Sequence, residues 1–295
     1  MPIVRPHSIR AAPGLPVNTN GAAPRAESLR LGSNGFIGHR ARKRFGQHFL
    51  ADPHYIARIV DAIAPQAGDR LVEIGPGLGA LTRPLIGHAG RLAAIEIDRD
   101  LAARLASEFP PEQLQLHVND ALDFDFAVLG PAFRVIGNLP YNISSPLLFH
   151  LAQFASQIID IHVMLQKEVV ARMTALPATP DYGRLTVMLQ AQFRVVRLFT
   201  VPGGAFRPAP KVESAVARLV PLGEAKPRIE DAALFARVVA AAFGQRRKTM
   251  RNALAALCDA PSLEAASVDP AARGETLAVA DFVRLANALV SQNAA

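Results

Sequence analysis

The chain has 295 residues, half of them hydrophobic, which is enough for one well-filled core and a smaller second domain. No run approaches the roughly 18 apolar residues of a membrane span, which argues against a helical integral membrane protein. A single cysteine, Cys258, excludes an internal disulfide framework. The formal net charge of +7 lies entirely in residues 1–44, where Arg5, Arg10, Arg25, Arg30, Arg40, Arg42, Lys43 and Arg44 face Glu27 alone. The remainder balances at 24 basic and 24 acidic residues, so any further nucleic-acid surface must come from local patches. The eight histidines show no metal-ligand spacing with Cys, Asp or Glu, so no metal site is expected.

Residues 1–38 are rich in Pro, Gly, Ala, Asn and Arg without apolar periodicity, and read as a disordered basic leader. Its five prolines oppose the amphipathic helix of an organelle transit peptide, and it has no apolar core of a secretion signal. A cytoplasmic location is the expectation. From about residue 55 helix and strand alternate. Tyr55–Ile63 has helical spacing behind Asp52 and Pro53, and Arg70–Ile74 is a short apolar strand. A glycine-rich turn and a helix through Leu85 follow, then a strand at Leu92–Ile97 and a helix at Leu101–Phe109. Leu114–Val118, Arg134–Gly137 and Ile159–Leu165 read as strands, with a helix around Leu147–Phe154. Such alternation predicts a parallel, doubly wound α/β sheet. Arg194–Thr200 and Val212–Val220 predict two strands joined by a Pro/Gly-rich loop, an antiparallel edge. After Pro221 the pattern is helical, at Ala232–Ala242, Lys248–Leu257 and Val279–Leu289. The expected division is therefore 39–222 for the α/β domain and 223–295 for a helical C-terminal domain.

The first chemical signal is Glu73-Ile-Gly75-Pro-Gly77-Leu-Gly79, directly after a strand and before a helix. Glycines there let the backbone turn sharply and approach a ligand. Alone the loop does not choose between cofactors, since with Ala80 it also fits a dinucleotide fingerprint. Glu96 closes the second strand, nineteen residues after Gly77, where an acid can bind both hydroxyls of a ribose. Glu73 beside the glycines would repel a pyrophosphate, but not a sulfonium and an ammonium. With Asp120 past the third strand, three carboxylates at one sheet edge favour a cofactor carrying positive charge. Taken singly, Asp120 is equally well a helix cap and Glu96 a solvated strand end.

The second signal is Asn138-Leu139-Pro140-Tyr141 after the fourth strand. An adenine amino nitrogen is a poor nucleophile because its lone pair is delocalised into the ring. Two acceptors for its hydrogens, the Asn138 side-chain oxygen and the Leu139 carbonyl, would aim the lone pair at a methyl donor. Pro140 would fix the backbone, and Tyr141 offers a ring for the base to stack on. An isolated N-x-P-Y is more often a plain turn. Its place at the end of the fourth strand of such a sheet is what favours the catalytic reading.

With these residues in hand, the chain resembles the ribosomal RNA adenine dimethylase family, and within it the small-subunit branch. The matching segments are Arg42–Leu50 (RKRFGQHFL), Val72–Gly79, Gly137–Ser144 (GNLPYNIS), Leu165–Val169 (LQKEV), Ala205–Val212 (AFRPAPKV) and Phe243–Asn252 (FGQRRKTMRN). The resemblance implies a Rossmann-like S-adenosylmethionine-dependent methyltransferase sheet with a small α-helical C-terminal domain. It implies that His48 and Leu50 line the cofactor pocket, Gly75 and Gly77 lie at its amino-acid part, Glu96 binds the ribose and Asp120 the adenine. Asn138 would span cofactor and target amine. The implied reaction places two methyl groups on N6 of each of two adjacent adenosines in the 3′-terminal hairpin of small-subunit ribosomal RNA. The implied partner is a late small-subunit assembly particle, met by a monomer. The chain departs from many relatives by carrying His48 where they have Asn, and by its leader.

Three readings stay open. Phe206 either stacks on the flipped adenine opposite Tyr141 or anchors its loop. Arg246, Arg247, Lys248 and Arg251 either contact phosphates or form a solvated face, and a particle-sized substrate favours phosphates. The function itself has alternatives in a large-subunit adenine methylase and in an assembly or transcription factor that kept the fold for binding.

Overall fold

The computed structural model describes residues 47–140, 143–245 and 247–293. The leader, Arg42–Phe45, Tyr141 and Arg246 therefore lie outside the described residues. The described residues all fall within one compact unit.

At its centre is a seven-stranded sheet. Strands β2 (Leu71–Ile74), β3 (Leu92–Ile95), β4 (Leu114–His117), β5 (Phe133–Asn138) and β6 (Ile158–Gln166) run parallel in the order β4-β3-β2-β5-β6. Two further strands, β9 (Ser214–Pro221) and β7 (Phe193–Val201), extend it antiparallel beyond β6 as β9-β7. The expected antiparallel pair is thus present, with β7 on the edge and a register shift between Arg197 and Phe199. The parallel strands are apolar on both faces because helices cover both. Alternate residues part company accordingly. Leu71 and Ile136 pack towards helices α1 (Pro53–Ile63) and α2 (Thr82–Ala89), while Val72, Ile74 and Val135 pack towards α4 (Ser144–Ala152) and α5 (Lys167–Met173). Helix α1 starts where the Asp52 carboxylate accepts from His54 N at 2.9 Å. Helix α3 (Arg99–Glu108) starts in the same way at Asp98.

A two-stranded ribbon, β1 (Phe49–Leu50) with β8 (Phe206–Arg207), joins the N-terminal segment to the loop after β7. The helical part packs α7 (Ala232–Gly244), α9 (Ala260–Ala265) and α10 (Val279–Asn293) around Phe235, Val238 and Phe282. This core also takes Tyr182, and Val187 and Ala191 from the region of α6 (Arg184–Gln190), so residues before 222 help to build it. Where Lys248–Leu257 reads as one helix, only α8 (Met250–Ala253) forms. The Met250 amide instead bonds Ala272 O, in a bridge between Thr249 and Arg273 that turns the chain. Among the described residues no helix is long and apolar enough to cross a membrane, and no cluster of His, Cys, Asp and Glu could hold a metal.

Candidate active site

The strand order reverses between β3-β2 and β5-β6, and the carboxyl ends of strands on either side of such a switch leave a crevice between their loops. A cavity of about 300 Å³ lies there. Its floor is the glycine loop after β2, its far wall Glu96–Ile97 just past β3 and Asn119–Ala121, its near wall Asn138–Pro140. Gln47, His48, Phe49 and Leu50 close it from the N-terminal side. All the described cofactor candidates, His48, Leu50, Gly75, Gly77, Glu96, Asp120 and Asn138, therefore border one space.

Each wall has a local cause. Gly75, Gly77 and Gly79 have φ of +67°, +58° and +80°. At Gly77 a Cβ would in addition lie 3.2 Å from the Phe49 ring, so the loop and β1 approach closely only because the side chain is absent. Gly77 N donates to one oxygen of Glu96 at 3.1 Å and Asp98 N to the other at 2.9 Å. These bonds fix the carboxylate plane and leave further lone pairs for a diol. Burial raises the Glu96 carboxyl above its ordinary range, with the Asp98 charge adding to it and the two amide bonds working against it. Glu73 is almost wholly buried, accepts from Thr82 Oγ1 at 2.6 Å, and burial pushes its carboxyl up to about 7 despite that bond. Asp120 caps its own turn, accepting from Leu122 N at 2.9 Å, and also borders the cavity, so the two readings of it are compatible.

Asn138 ends β5. Its Nδ2 donates to the His48 carbonyl at 3.0 Å, which fixes the amide's orientation because only the nitrogen can face a carbonyl. His48 Nδ1 donates in turn to Pro208 O at 2.8 Å. Leu139 is buried and its amide bonds Met164 O on β6 at 3.1 Å, so its backbone plane is set by the sheet. Gly137 is required behind it, since a Cβ there would lie 3.0 Å from Ile74 O on the neighbouring strand.

Phe206 is the correction. Only 1% of it is exposed, packed on the core side of the β1–β8 ribbon with Leu50 and Val201, so it anchors the loop and presents no face to a base. Arg247 and Lys248 lie exposed in the turn between α7 and α8, and Arg251 is exposed on α8; none of the three borders the cavity. Thr82 and Asp98, which the sequence reading passed over, complete the site: Asp98 accepts from Gln47 Nε2 at 3.3 Å while capping α3. A hydroxyl at the first position of α2, nine residues after a buried glutamate, was the available signal.

The family model for ribosomal RNA adenine dimethylases matches residues 38–291. The chain belongs to the ribosomal RNA adenine dimethylase family. A curated relative from Aromatoleum aromaticum, ribosomal RNA small subunit methyltransferase A, is 59% identical over 255 residues, covering 86% of this chain and 96% of that protein. The protein of the same name from Chromobacterium violaceum is 53% identical, covering 87% and 98%. Among solved structures, a dimethyladenosine transferase from Plasmodium falciparum matches with a TM-score of 0.70 at 25% identity, over 81% of this chain and 96% of that one. The 23S rRNA methyltransferase ErmE matches with 0.62 at 28% identity, over 82% and 99%. This adenine dimethylase thus has the Rossmann-like methyltransferase core with a C-terminal helical subdomain, is a methyltransferase, and uses S-adenosylmethionine. The cavity fits that cofactor: its two buried carboxylates suit a cationic ligand, and its positive-φ glycines open the floor.

Proposed function

We propose that this dimethylase methylates N6 of two adjacent adenosines in the 3′-terminal hairpin of small-subunit ribosomal RNA, as a cytoplasmic monomer acting on a late assembly particle. The observation that carries the site is the placement of Asn138 and Leu139 at the carboxyl end of β5, beside the carboxylate-lined cavity. Bound S-adenosylmethionine supplies an electrophilic methyl group on a sulfonium. With Asn138 Nδ2 committed to His48, Oδ1 is the amide's remaining acceptor, and with the Leu139 carbonyl it would accept hydrogen bonds from both N6 hydrogens in the first transfer and from the one that remains in the second. The nitrogen lone pair then turns out of conjugation towards the methyl carbon. Each transfer forms an N–C bond, breaks an S–C bond and releases one proton from the amine. Pro140 holds the Leu139 carbonyl in place, and its own carbonyl accepts from Ser144 Oγ at 3.0 Å at the start of α4. Glu96 would hold the ribose diol and Asp120 the adenine of S-adenosylmethionine. Tyr141, outside the described residues, is proposed as the stacking ring. Arg246, Arg247, Lys248 and Arg251 are proposed phosphate contacts on the helical side.

The small-subunit target is supported by relatives above 50% identity that bear a small-subunit name, against 28% for the 23S enzyme. The test is incubation with labelled S-adenosylmethionine and unmethylated small subunits, large subunits in parallel, followed by digestion and identification of the nucleoside. N6,N6-dimethyladenosine at two adjacent small-subunit positions supports the proposal. Label confined to the large subunit, or none with cofactor bound, overturns it.

A further inference from the structure

The cofactor's positive charge accounts for an acidic cavity, but not for how an RNA substrate approaches it. The cavity interior is acidic, with Glu73, Glu96 and Asp120, yet an RNA substrate must bring phosphates to its mouth. Those phosphates need cations at the rim and not inside.

The β1–β8 ribbon and the loop that follows it supply them. Phe49 pairs directly with Arg207 and Leu50 with Phe206. Directly paired residues share a face. Leu50 and Phe206 are on the buried face, so Phe49 and Arg207 share the other. The Phe49 ring lies against Gly77 and forms part of the cavity wall. Arg207 is therefore set beside the mouth, exposed. Its Nη1 donates to the carbonyls of Gly204 and Phe206, both at 2.9 Å, which orients the guanidinium and leaves Nε and Nη2 as donors. Lys211, four residues on in the same loop, is also exposed, and among the described residues neither cation pairs with a carboxylate.

The loop that carries them is held from several sides. Ala51 N bonds Ala205 O at 2.8 Å, and His48 Nδ1 bonds Pro208 O. A Cβ at Gly203 would lie 2.9 Å from Pro210 O, so the loop is closed tightly on itself. Pro202, Pro208 and Pro210 remove further backbone freedom. Cations on such a loop are pre-placed, and little ordering remains to be done when an anion arrives.

We propose that Arg207, beside the cavity mouth, and Lys211, further along the same loop, form a cationic rim that grips RNA phosphates flanking the adenosine to be methylated. This rests on the RNA substrate entering at that mouth. It gives the α/β part its own phosphate contacts, separate from the basic run near α8.

The test measures binding of a fluorescein-labelled RNA hairpin with an adenosine-containing loop across a series of salt concentrations. The proteins are the wild type, Arg207→Gln/Lys211→Gln, and Arg207→Lys. Loss of two single-strand phosphate contacts should flatten the slope of log affinity against log salt by about 1.4. Affinity for the hairpin should fall about tenfold or more at low salt, and Arg207→Lys should keep the wild-type slope, because it keeps the charge. Melting temperature and S-adenosylmethionine affinity serve as fold controls; should the double variant fail them, Lys211→Gln alone should flatten the slope by about 0.7. An unchanged slope in a folded variant, or wild-type binding with no salt dependence, overturns the rim. Methylation of small subunits by the wild type is scored in parallel. A changed slope without small-subunit methylation leaves the rim standing and removes the small-subunit target instead.

Discussion

Asn138 joins two functions in one amide: Nδ2 ties the site to His48 and Oδ1 is the acceptor proposed for the substrate amine. Replacing it by Ala removes both, and removal of one aimed acceptor is worth about 10²- to 10³-fold in kcat. Asn138→Ala should therefore lose transfer by at least that factor in a single-turnover assay while keeping its fold and most of its RNA affinity. Near-normal turnover would remove Asn138 from the mechanism. Asn138→Asp keeps an acceptor but loses the Nδ2 donor that holds it in place, so the carboxylate meets the His48 carbonyl with a second acceptor. It should melt lower than wild type, and it should also transfer poorly.

At the scale of elements, the close contact between β2 and β5 depends on Gly137. Gly137→Ala places a methyl 3.0 Å from Ile74 O and closer still to the Leu139 side chain. The strand must shift or Leu139 must move, at a cost of about 1–3 kcal/mol. Since Asn138 and Leu139 follow directly, chemical denaturation should show the lost stability and kcat should fall with it. An unchanged kcat in the destabilised variant would mean that the motif tolerates displacement of its strand. The same elements show what the sequence makes legible. The parallel strands are visible because they are short, continuous apolar runs between glycine and helix signals, and α1 because Asp52 and Pro53 announce it. Helices α5 and α6 have seven residues each, too few for a helical period to stand out. The β1–β8 ribbon has two residues per strand and leaves no alternation to read. With no pattern there to read, the sequence leaves Phe206 between stacking and anchoring and gives no sign of where Arg207 stands. The site candidates were legible as residue types at strand ends; the ties between them, such as Thr82 to Glu73 and His48 to Asn138, cross distances in sequence that no local pattern records.

Across the whole molecule, the two ends of the parallel sheet shift their buried carboxylates in opposite directions. At the amino ends, Arg134 on β5 donates to Asp160 on β6 at 2.8 Å and to Asp69 at 2.8 Å, and Arg218 reaches Asp160 at 2.9 Å. Burial alone would raise the Asp160 carboxyl, but the Arg134 bond and the surrounding cations outweigh it and hold it below the usual range. Beside it His162 is buried deeply enough to be pushed down to about 4, so it stays neutral at physiological pH. Asp160→Ala would leave Arg134 buried without its main partner, a loss of about 3–5 kcal/mol. That variant should unfold at markedly lower denaturant than wild type, and an unchanged midpoint would refute a supporting role for the cluster.

The carboxyl ends work the other way. Glu73 has a folded pKa of about 7 against 4.5 when exposed, so between those values the folded state binds more protons than the unfolded one. Stability without cofactor should thus fall as pH rises from about 5 to about 7, by up to about 3 kcal/mol from Glu73. Glu96, raised as well, acts in the same direction. Asp160 has the reverse sign: its contribution is present above the ordinary aspartate range and is lost only as pH falls through its depressed value. The two limbs place the cofactor-free optimum on the mildly acidic side of neutrality. A cationic cofactor beside Glu73 favours the ionised carboxylate, so binding near pH 6.5 should release protons and stabilise the fold more as pH rises. Titration calorimetry in buffers of different ionisation heat measures that release, and melting curves with and without S-adenosylmethionine measure the stabilisation. In Glu73→Gln the neutral-side fall should flatten and the proton release shrink, while the acid limb set by Asp160 stays. If Glu73→Gln leaves both the fall and the proton release intact, the buried carboxylate is not the group that couples the fold to its cofactor's charge.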